Sequence, residues 1–508
     1  MNQIITAPAR PPATKLRWPV LLFYLCAGLL ALPLAVYFSE LEFKYLFGVF
    51  GAIAIFSIAL MMHDSNKLFD YFLIVFSLAI PLSINLVFFY RKEHVGGAIG
   101  IDVSAIHVSI LIMLALLVYK ALKARKRPIF QYEPTLLWPH ALFFLAMIWS
   151  VSAADDKILS LFEIIRTVVL IAVLFVIMNL KEERHIRILL FLLTFGVFFQ
   201  AVLAIVQYRT GENLGLRFLG EQAIVGQMLG GMISRATGTI GHPNTLAYFF
   251  EILLPLTLAL TLVEKKTSLK IWYFIAFAFG MAGIITTLSR AAWLTLPVSL
   301  PLVFILALRR RIFRVQTVMI VSVFAIFASI FLYAYYPTIQ KRFYYEDYGS
   351  ARSRIPLNQA ALSIIKQFPL TGIGVNNFAQ AFKKYDISGG SRILRGYSHV
   401  VHNMYLLVAG EMGIIGLLAF LWMFLAVFLV AFRARNRLDE WQSTVLIGIS
   451  AGLLAQMIHG LFDPGFRMLM SLSTLVYTFI GIAGAVSLMK PADAAGSPKT
   501  AATPEPHG

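Results

Sequence analysis

Long apolar runs, broken by short polar ones, recur along nearly the whole chain. Each is about 20 residues long, the length an α-helix needs to cross a bilayer. Fourteen spans can be read this way, near 19–38, 45–62, 68–90, 103–122, 135–153, 161–180, 188–207, 243–263, 270–288, 291–308, 315–335, 402–431, 443–461 and 467–489. The polar breaks alternate in kind. KARKR (123–127), KEERHIR (181–187), EKKTSLK (264–270), RRRIFR (309–314) and RARNR (433–437) all fall on one side. Lys and Arg collect in cytoplasmic loops, so that side is expected inside, with both termini. The expected fold is an all-α, polytopic transmembrane helical bundle of about 12–14 spans.

Two outer loops break the alternation, roughly 208–242 and 336–401. Within the second, IPLNQAALSIIKQF (355–368) sets Ile355, Leu362, Ile365 and Phe368 near helical spacing, which predicts an amphipathic helix on the membrane surface. PLTGIG (369–374) then ends the helix and turns the chain. The N-terminal tail (1–18) and the C-terminal tail (490–508) are polar and contain Pro, and the C-terminal one is expected to be disordered.

Composition agrees with a membrane domain. Of 508 residues, 59% are hydrophobic and 13% charged, against about 45–50% and 25% in soluble proteins. Cys26 is the only cysteine, so neither an internal disulfide nor a Cys-based metal site can form. The net charge of +18 is partly topological. Arg290, Lys341, Arg342, Arg352, Arg354, Lys366, Lys383, Lys384, Arg392 and Arg395, however, fall on the outer side. Cations kept there point to an anionic ligand, with headgroup contact as the plainer alternative.

Several residues carry candidate chemistry. His402 lies where the long loop meets the run 402–431, and an imidazole at that boundary can take a proton or hold a hydroxyl. Asn403 can orient a sugar or phosphate oxygen; the plainer alternative for His402 is that it caps the helix or faces lipid headgroups. His399 is a weaker candidate, and no carboxylate stands near in sequence to complete a metal site. Arg290, in TTLSRAAWLTL, sits between two apolar runs with almost no loop to solvate it. Its planar fork suits a diphosphate, and a salt bridge or snorkelling are the alternatives. Arg235 precedes ATGTIGHPN, and Asn244 falls in the first turn after Pro243, a normal helix start. Arg166 is expected to pair with Glu163 one turn earlier. Asp155–Asp156 and Glu346–Asp347 read as solvated loop charges. No Walker A, HExxH, DxD or Ser-His-Asp pattern stands out. An already activated donor, such as a lipid diphosphate whose leaving group Arg can neutralise, fits these absences.

RATGTIGHPNTLAYFFEILLPL (235–256), TLSRAAWL (287–294), RSRIPLNQAALSIIKQFPLTGIGVNNF (352–378) and SHVVHNMYLLVAGEMGIIGLLAF (398–420) together resemble the bacterial O-antigen ligase and O-antigen polymerase superfamily. The resemblance covers roughly the C-terminal half. It implies a GT-C-type membrane glycosyltransferase domain over 19–489, with a ligase-like core at 235–420 and a long periplasmic loop at 336–401. It also implies an undecaprenyl-diphosphate-linked glycan as donor, a lipid A–core sugar or a growing glycan as acceptor, and a bacterial inner-membrane location with the active site facing the periplasm. His402 would match the family histidine that deprotonates or positions the acceptor hydroxyl. Arg290 would match the arginine on the donor diphosphate, Arg235 that of the preceding loop, and Arg352 or Arg354 the start of the long-loop motif. Asn244 and Asn403 join them as substrate-binding candidates. Neither metal nor other cofactor is implied, and membrane lipids but no nucleic acid are expected as partners. Two rival classes are a small-anion transporter, such as one for bicarbonate, and a non-catalytic subunit of a polysaccharide export assembly. Transporters commonly show repeated halves, and none is found here.

Overall fold

The apolar runs do become helices, and helix makes up about 75% of the structure. The computed structural model describes residues 43–62, 64–124, 130–222, 235–308, 333, 336, 340, 354–386 and 400–489. In chain order these form α1 (Phe43–Leu60), α2 (Ser65–Ala79), β1 (Leu86–Phe88), β2 (Ile101–Val103), α3 (Ala105–Ala124), α4 (Pro134–Ser150), α5 (Lys157–Met178), α6 (Glu183–Thr210), α7 (Pro243–Val263), α8 (Thr267–Thr286), α9 (Arg290–Leu308), α10 (Arg354–Gln367), α11 (Phe378–Tyr385), α12 (Met404–Ala434), α13 (Glu440–His459) and α14 (Met470–Ser487). Among the described residues ten helices, α3–α9 and α12–α14, are long and apolar enough to cross a membrane. The chain is a multi-pass membrane protein.

Each expected span within the described residues meets a helix. The spans near 19–38 and 315–335 lie outside them, Tyr333 excepted. One reading needs correction. The run 68–90 looks like a single span, yet α2 ends at Ala79. Pro81 cannot continue the hydrogen-bond ladder, and the chain leaves helical geometry there. The apolar remainder forms β1, which pairs antiparallel with β2, Val87 opposite Asp102. At about 1.5 Å per residue, the 15 residues of α2 fall short of a hydrocarbon core of about 30 Å.

Two helices stand wholly inside the bundle. In α7 every residue over 245–263 is buried, and in α14 every residue is. α7 packs against α8, α9 and α13, while α14 packs against α5. Gly448 and Gly452 on α13 let it approach α7 closely, a small-residue seam suited to a membrane.

α12 hides a break inside a continuous apolar run. Gly413 has φ 67° and ψ −174°, which is not helical. The freed Ile414 amide donates to the Pro369 carbonyl at 2.8 Å. The PLTGIG turn therefore docks into the break, and the remaining 414–434, at roughly 1.5 Å per residue, spans about 31 Å. α10 forms where the amphipathic pattern predicts. Its buried face is Leu357, Ala360, Ala361 and Ile364, which pack on Phe378, Phe382, Val401 and Leu407. Ile355 and Leu362, from the predicted membrane-facing set, are exposed, and Ile365 and Phe368 are half-buried.

Two of the basic runs, 181–187 and 264–270, meet at one end of the bundle. Arg187 bridges Glu183 and Glu264 and stacks over Trp441, and Arg184 and His185 both pair with Asp70. These contacts join the adjoining ends of α2, α6, α7 and α13.

Candidate functional site

At the opposite end, the sequence between α6 and α7 returns beside the turn between α8 and α9. The Ala236 amide donates to the Thr286 carbonyl, and Arg235 Nε to the Thr287 carbonyl at 2.9 Å. α9 starts at Arg290. The two arginines predicted to handle the donor are thus carried by segments bonded side by side. Arg235 Nη2 also donates to Asn244 Oδ1 at 2.8 Å. Pro243 and Asn244 open α7, as their spacing predicts, with His242 capping it through its ring.

From Asn244 the connection continues to a carboxylate that sequence reasoning missed. Asn244 Nδ2 donates to Asp463 Oδ2 at 3.3 Å. The same oxygen lies 3.4 Å from His402 Nδ1. His402 is therefore not without a carboxylate; its partner simply lies 61 positions further along. Asp463 is 9% exposed and His402 37%. The pair presents an imidazole at the surface and keeps its carboxylate behind it. With Nδ1–H donating to Asp463, the Nε2 lone pair is left to accept a proton. At 3.4 Å the contact is long, and catalytic contacts of this kind tighten once substrate is bound.

The turn holding Asp463 is tightly specified. Gly465 N–H donates to Asp463 Oδ1 at 3.0 Å, and the Tyr248 hydroxyl donates to the Asp463 carbonyl at 2.7 Å. Gly465 has φ 45°, and a Cβ there would come within 2.0 Å of the Tyr248 ring. Burial pushes the Asp463 carboxyl up. The hydrogen bond and charge of His402, the charge of His459 and the Gly465 amide more than offset this and hold it well below the ordinary carboxylate value. Asp463 is thus a carboxylate at neutral pH.

The remaining predicted residues divide. Arg354 opens α10, and its charge reaches Tyr248, which sits beside Asp463. Arg352 lies outside the described residues, as do His399 and the Glu346–Asp347 pair. Asn403, not His402, caps α12: its Oδ1 accepts from Tyr405 and Leu406, and its Nδ2 donates to the Leu461 carbonyl. Both ends of that amide serve the fold and fix the backbone next to His402. His242 is within electrostatic reach of Arg235, Asp463 and His402. Asp156, expected as a solvated charge, caps α5, while Asp155 faces Lys384 at the surface. Arg166 does meet Glu163, at 3.5 Å. Among the described residues no three His, Cys, Asp or Glu side chains group as metal ligands.

The fold and site together define a multi-pass membrane protein with arginines, a histidine and a carboxylate brought to the mouth of one bundle end. Residues 275–421 match the family model described as O-antigen ligase, which supports the resemblance that the motifs carry. The match takes in Arg290, Arg354, His402 and Asn403, and stops short of Arg235, Asn244 and Asp463. No curated protein matches the chain.

Proposed function

We propose that this protein is a glycosyltransferase that moves a glycan from an undecaprenyl-diphosphate carrier to a sugar hydroxyl at the periplasmic face of a bacterial inner membrane. The acceptor is either a lipid A–core sugar or a growing glycan. The observation that carries this reading is the hydrogen-bonded path Thr287–Arg235–Asn244–Asp463–His402, which joins the segment opened by Arg290 to a histidine backed by a carboxylate.

The chemistry is a single displacement. The acceptor oxygen forms a bond to the anomeric carbon as the bond from that carbon to the diphosphate oxygen breaks. The hydroxyl proton passes to His402 Nε2, and the electron pair leaves with the polyprenyl diphosphate. Attack from the face opposite the leaving group inverts the anomeric centre. Asp463 holds the imidazole in the tautomer that can accept, and stabilises the imidazolium once formed. Arg290, Arg235 and a long-loop arginine, Arg352 or Arg354, meet the charge on the departing diphosphate. Fixed guanidinium groups can supply this neutralisation without a divalent ion, so the reaction is metal-independent on this reading.

The experiment is glycan transfer by membranes carrying single variants, with protein level and donor binding followed alongside. His402→Ala abolishes transfer and leaves donor binding intact. Arg290→Lys keeps the charge, loses the bidentate fork, and is badly impaired. Wild-type protein keeps its activity in excess chelator. Near-normal transfer by normally expressed His402→Ala would overturn the catalytic assignment. Activity lost with EDTA and regained with Mg²⁺ or Mn²⁺ would overturn metal independence.

A further inference from the structure

Behind the His402–Asp463 pair lies a second charged group that the proposed chemistry leaves unused. Glu163 and Arg166 on α5, Glu411 on α12 and Arg467 in the short 3₁₀ turn Gly465–Met468 are all buried. Arg467 Nη1 donates to Glu411 Oε2 at 2.9 Å, and its Nη2 lies 3.6 Å from Glu163 Oε1. Arg166 Nη1 lies 3.5 Å from Glu163 Oε2 and donates to the Arg467 carbonyl at 2.8 Å. Two acids and two bases make the set neutral.

The carboxylates also reach the outer segments. Glu163 Oε2 accepts from the Ala98 amide at 3.0 Å, in the loop between β1 and β2. Glu411 Oε1 accepts from the Phe378 amide at 3.3 Å, where the long loop enters α11. The Glu411 carbonyl takes the Gly374 amide as well. Asn376 Nδ2 ties that stretch to the Ala98 and Leu159 carbonyls. Arg467 stands four positions after Asp463, in a turn closed by its own amide on the Pro464 carbonyl. Arg467 and Asp463 are therefore held in one short turn.

Four buried charges are a poor means of stabilisation, because desolvation offsets most of their attraction and apolar replacements do as well or better. What they supply is a fixed arrangement. The geometry points to Arg467 as a positioning residue: by gripping Glu411 and Glu163 with separate guanidinium nitrogens, it sets the place of Asp463, and hence of His402, against the long outer loop. This inference rests on the proposed roles of His402 and Asp463. A misplacement of about 1 Å at such a pair costs about 10²-fold in rate.

The experiment compares purified Arg467→Lys and the double variant Arg467→Gln/Glu411→Gln with wild type. Lys keeps the charge but loses the fork; the double variant removes one neutral pair and leaves Glu163–Arg166 intact, which protects folding if the first variant is lost. The expected result is kcat down about 10²-fold, KM for the lipid-linked donor unchanged, and faster hydrogen exchange over 463–466, with the thermal midpoint of the double variant near wild type. Wild-type kcat in the folded variants, unaltered exchange over 463–466, or a rise in KM in place of the fall in kcat would each overturn it. Failure of both variants to fold would make the quartet a stability element and overturn it too. His402→Ala measured in parallel keeps the two readings apart: unimpaired transfer there defeats the proposed function, while the exchange readout still decides the role of Arg467.

Discussion

The two ends of the bundle use the same residue types in opposite ways. At the end where the runs 181–187 and 264–270 meet, Arg187 and Glu183 are 38% and 32% exposed and Arg184 is 56% exposed, while Glu264, also bonded to Arg187, is 7% exposed. Water and salt screen the exposed pairs, so they hold the fold only weakly. At the other end Glu163, Glu411, Arg467 and Asp463 are each at most 9% exposed. Charges taken out of water stay only where specific partners meet them, and here Arg467 meets Glu163 from α5 and Glu411 from α12, while Asp463 meets His402. The described charged pairs are thus mostly exposed at one end and buried at the other, with Glu264, 7% exposed, the exception at the first.

That contrast can be tested from its strongest point downward. His402→Ala should lower transfer by about 10²–10⁴-fold without loss of protein, measured as turnover of lipid-linked donor. Asp463→Asn should lower it by about 10²-fold through misplacement of the imidazole, with donor binding retained. Gly465→Ala is a stability lesion: the added methyl meets the Tyr248 ring, and overpacking of that kind costs about 1–3 kcal/mol, read as a lowered unfolding midpoint.

Acid offers a gentler probe. The native Asp463 carboxyl is held below its ordinary value of 3.8. A lowered native value contributes stability that is complete above the ordinary value and is lost as pH falls through the native one. Asp463→Asn should therefore be less stable than wild type at about pH 5, with the gap closing in stronger acid. At the far end of the scale, Arg184→Ala at the opposite bundle end, where the side chain is 56% exposed, should cost less than about 1 kcal/mol and leave transfer unchanged. A large loss of transfer there would break the contrast.

Much of this was legible in the sequence, and the exceptions have common causes. Apolar runs gave the helices because a bilayer enforces length and internal hydrogen bonding. The i,i+3 spacing gave the Glu163–Arg166 contact, and the Pro243–Asn244 helix start followed from local rules. β1 was missed because hydropathy weighs Leu86, Val87 and Phe88 like helical residues, and only Pro81 marks the change. The break at Gly413 is hidden for the same reason, since glycine is common in membrane helices. Asp463 and Glu411 were missed because their partners are remote in sequence. The available sign for Asp463 was an acid in a DPG turn directly after an apolar run, which also describes an ordinary loop. For Glu411 it was a lone carboxylate within an apolar run, and such residues are functional candidates by default.

Because α7 and α14 are buried in the protein along nearly their whole length, the thickness of a surrounding bilayer would act on them only through their neighbours. Helices such as α3 and α4 instead leave most of their spanning residues exposed, with 33% and 39% buried. A thinner or thicker membrane is then accommodated by tilt of this outer ring, at fractions of a kcal/mol per Å. Asn244 and Tyr248 ride on α7, and the turn bearing Asp463 leads into α14, so these parts of the site are insulated from hydrophobic mismatch. Transfer rates in lipids of different chain length should accordingly vary far less than the tilt of the peripheral helices.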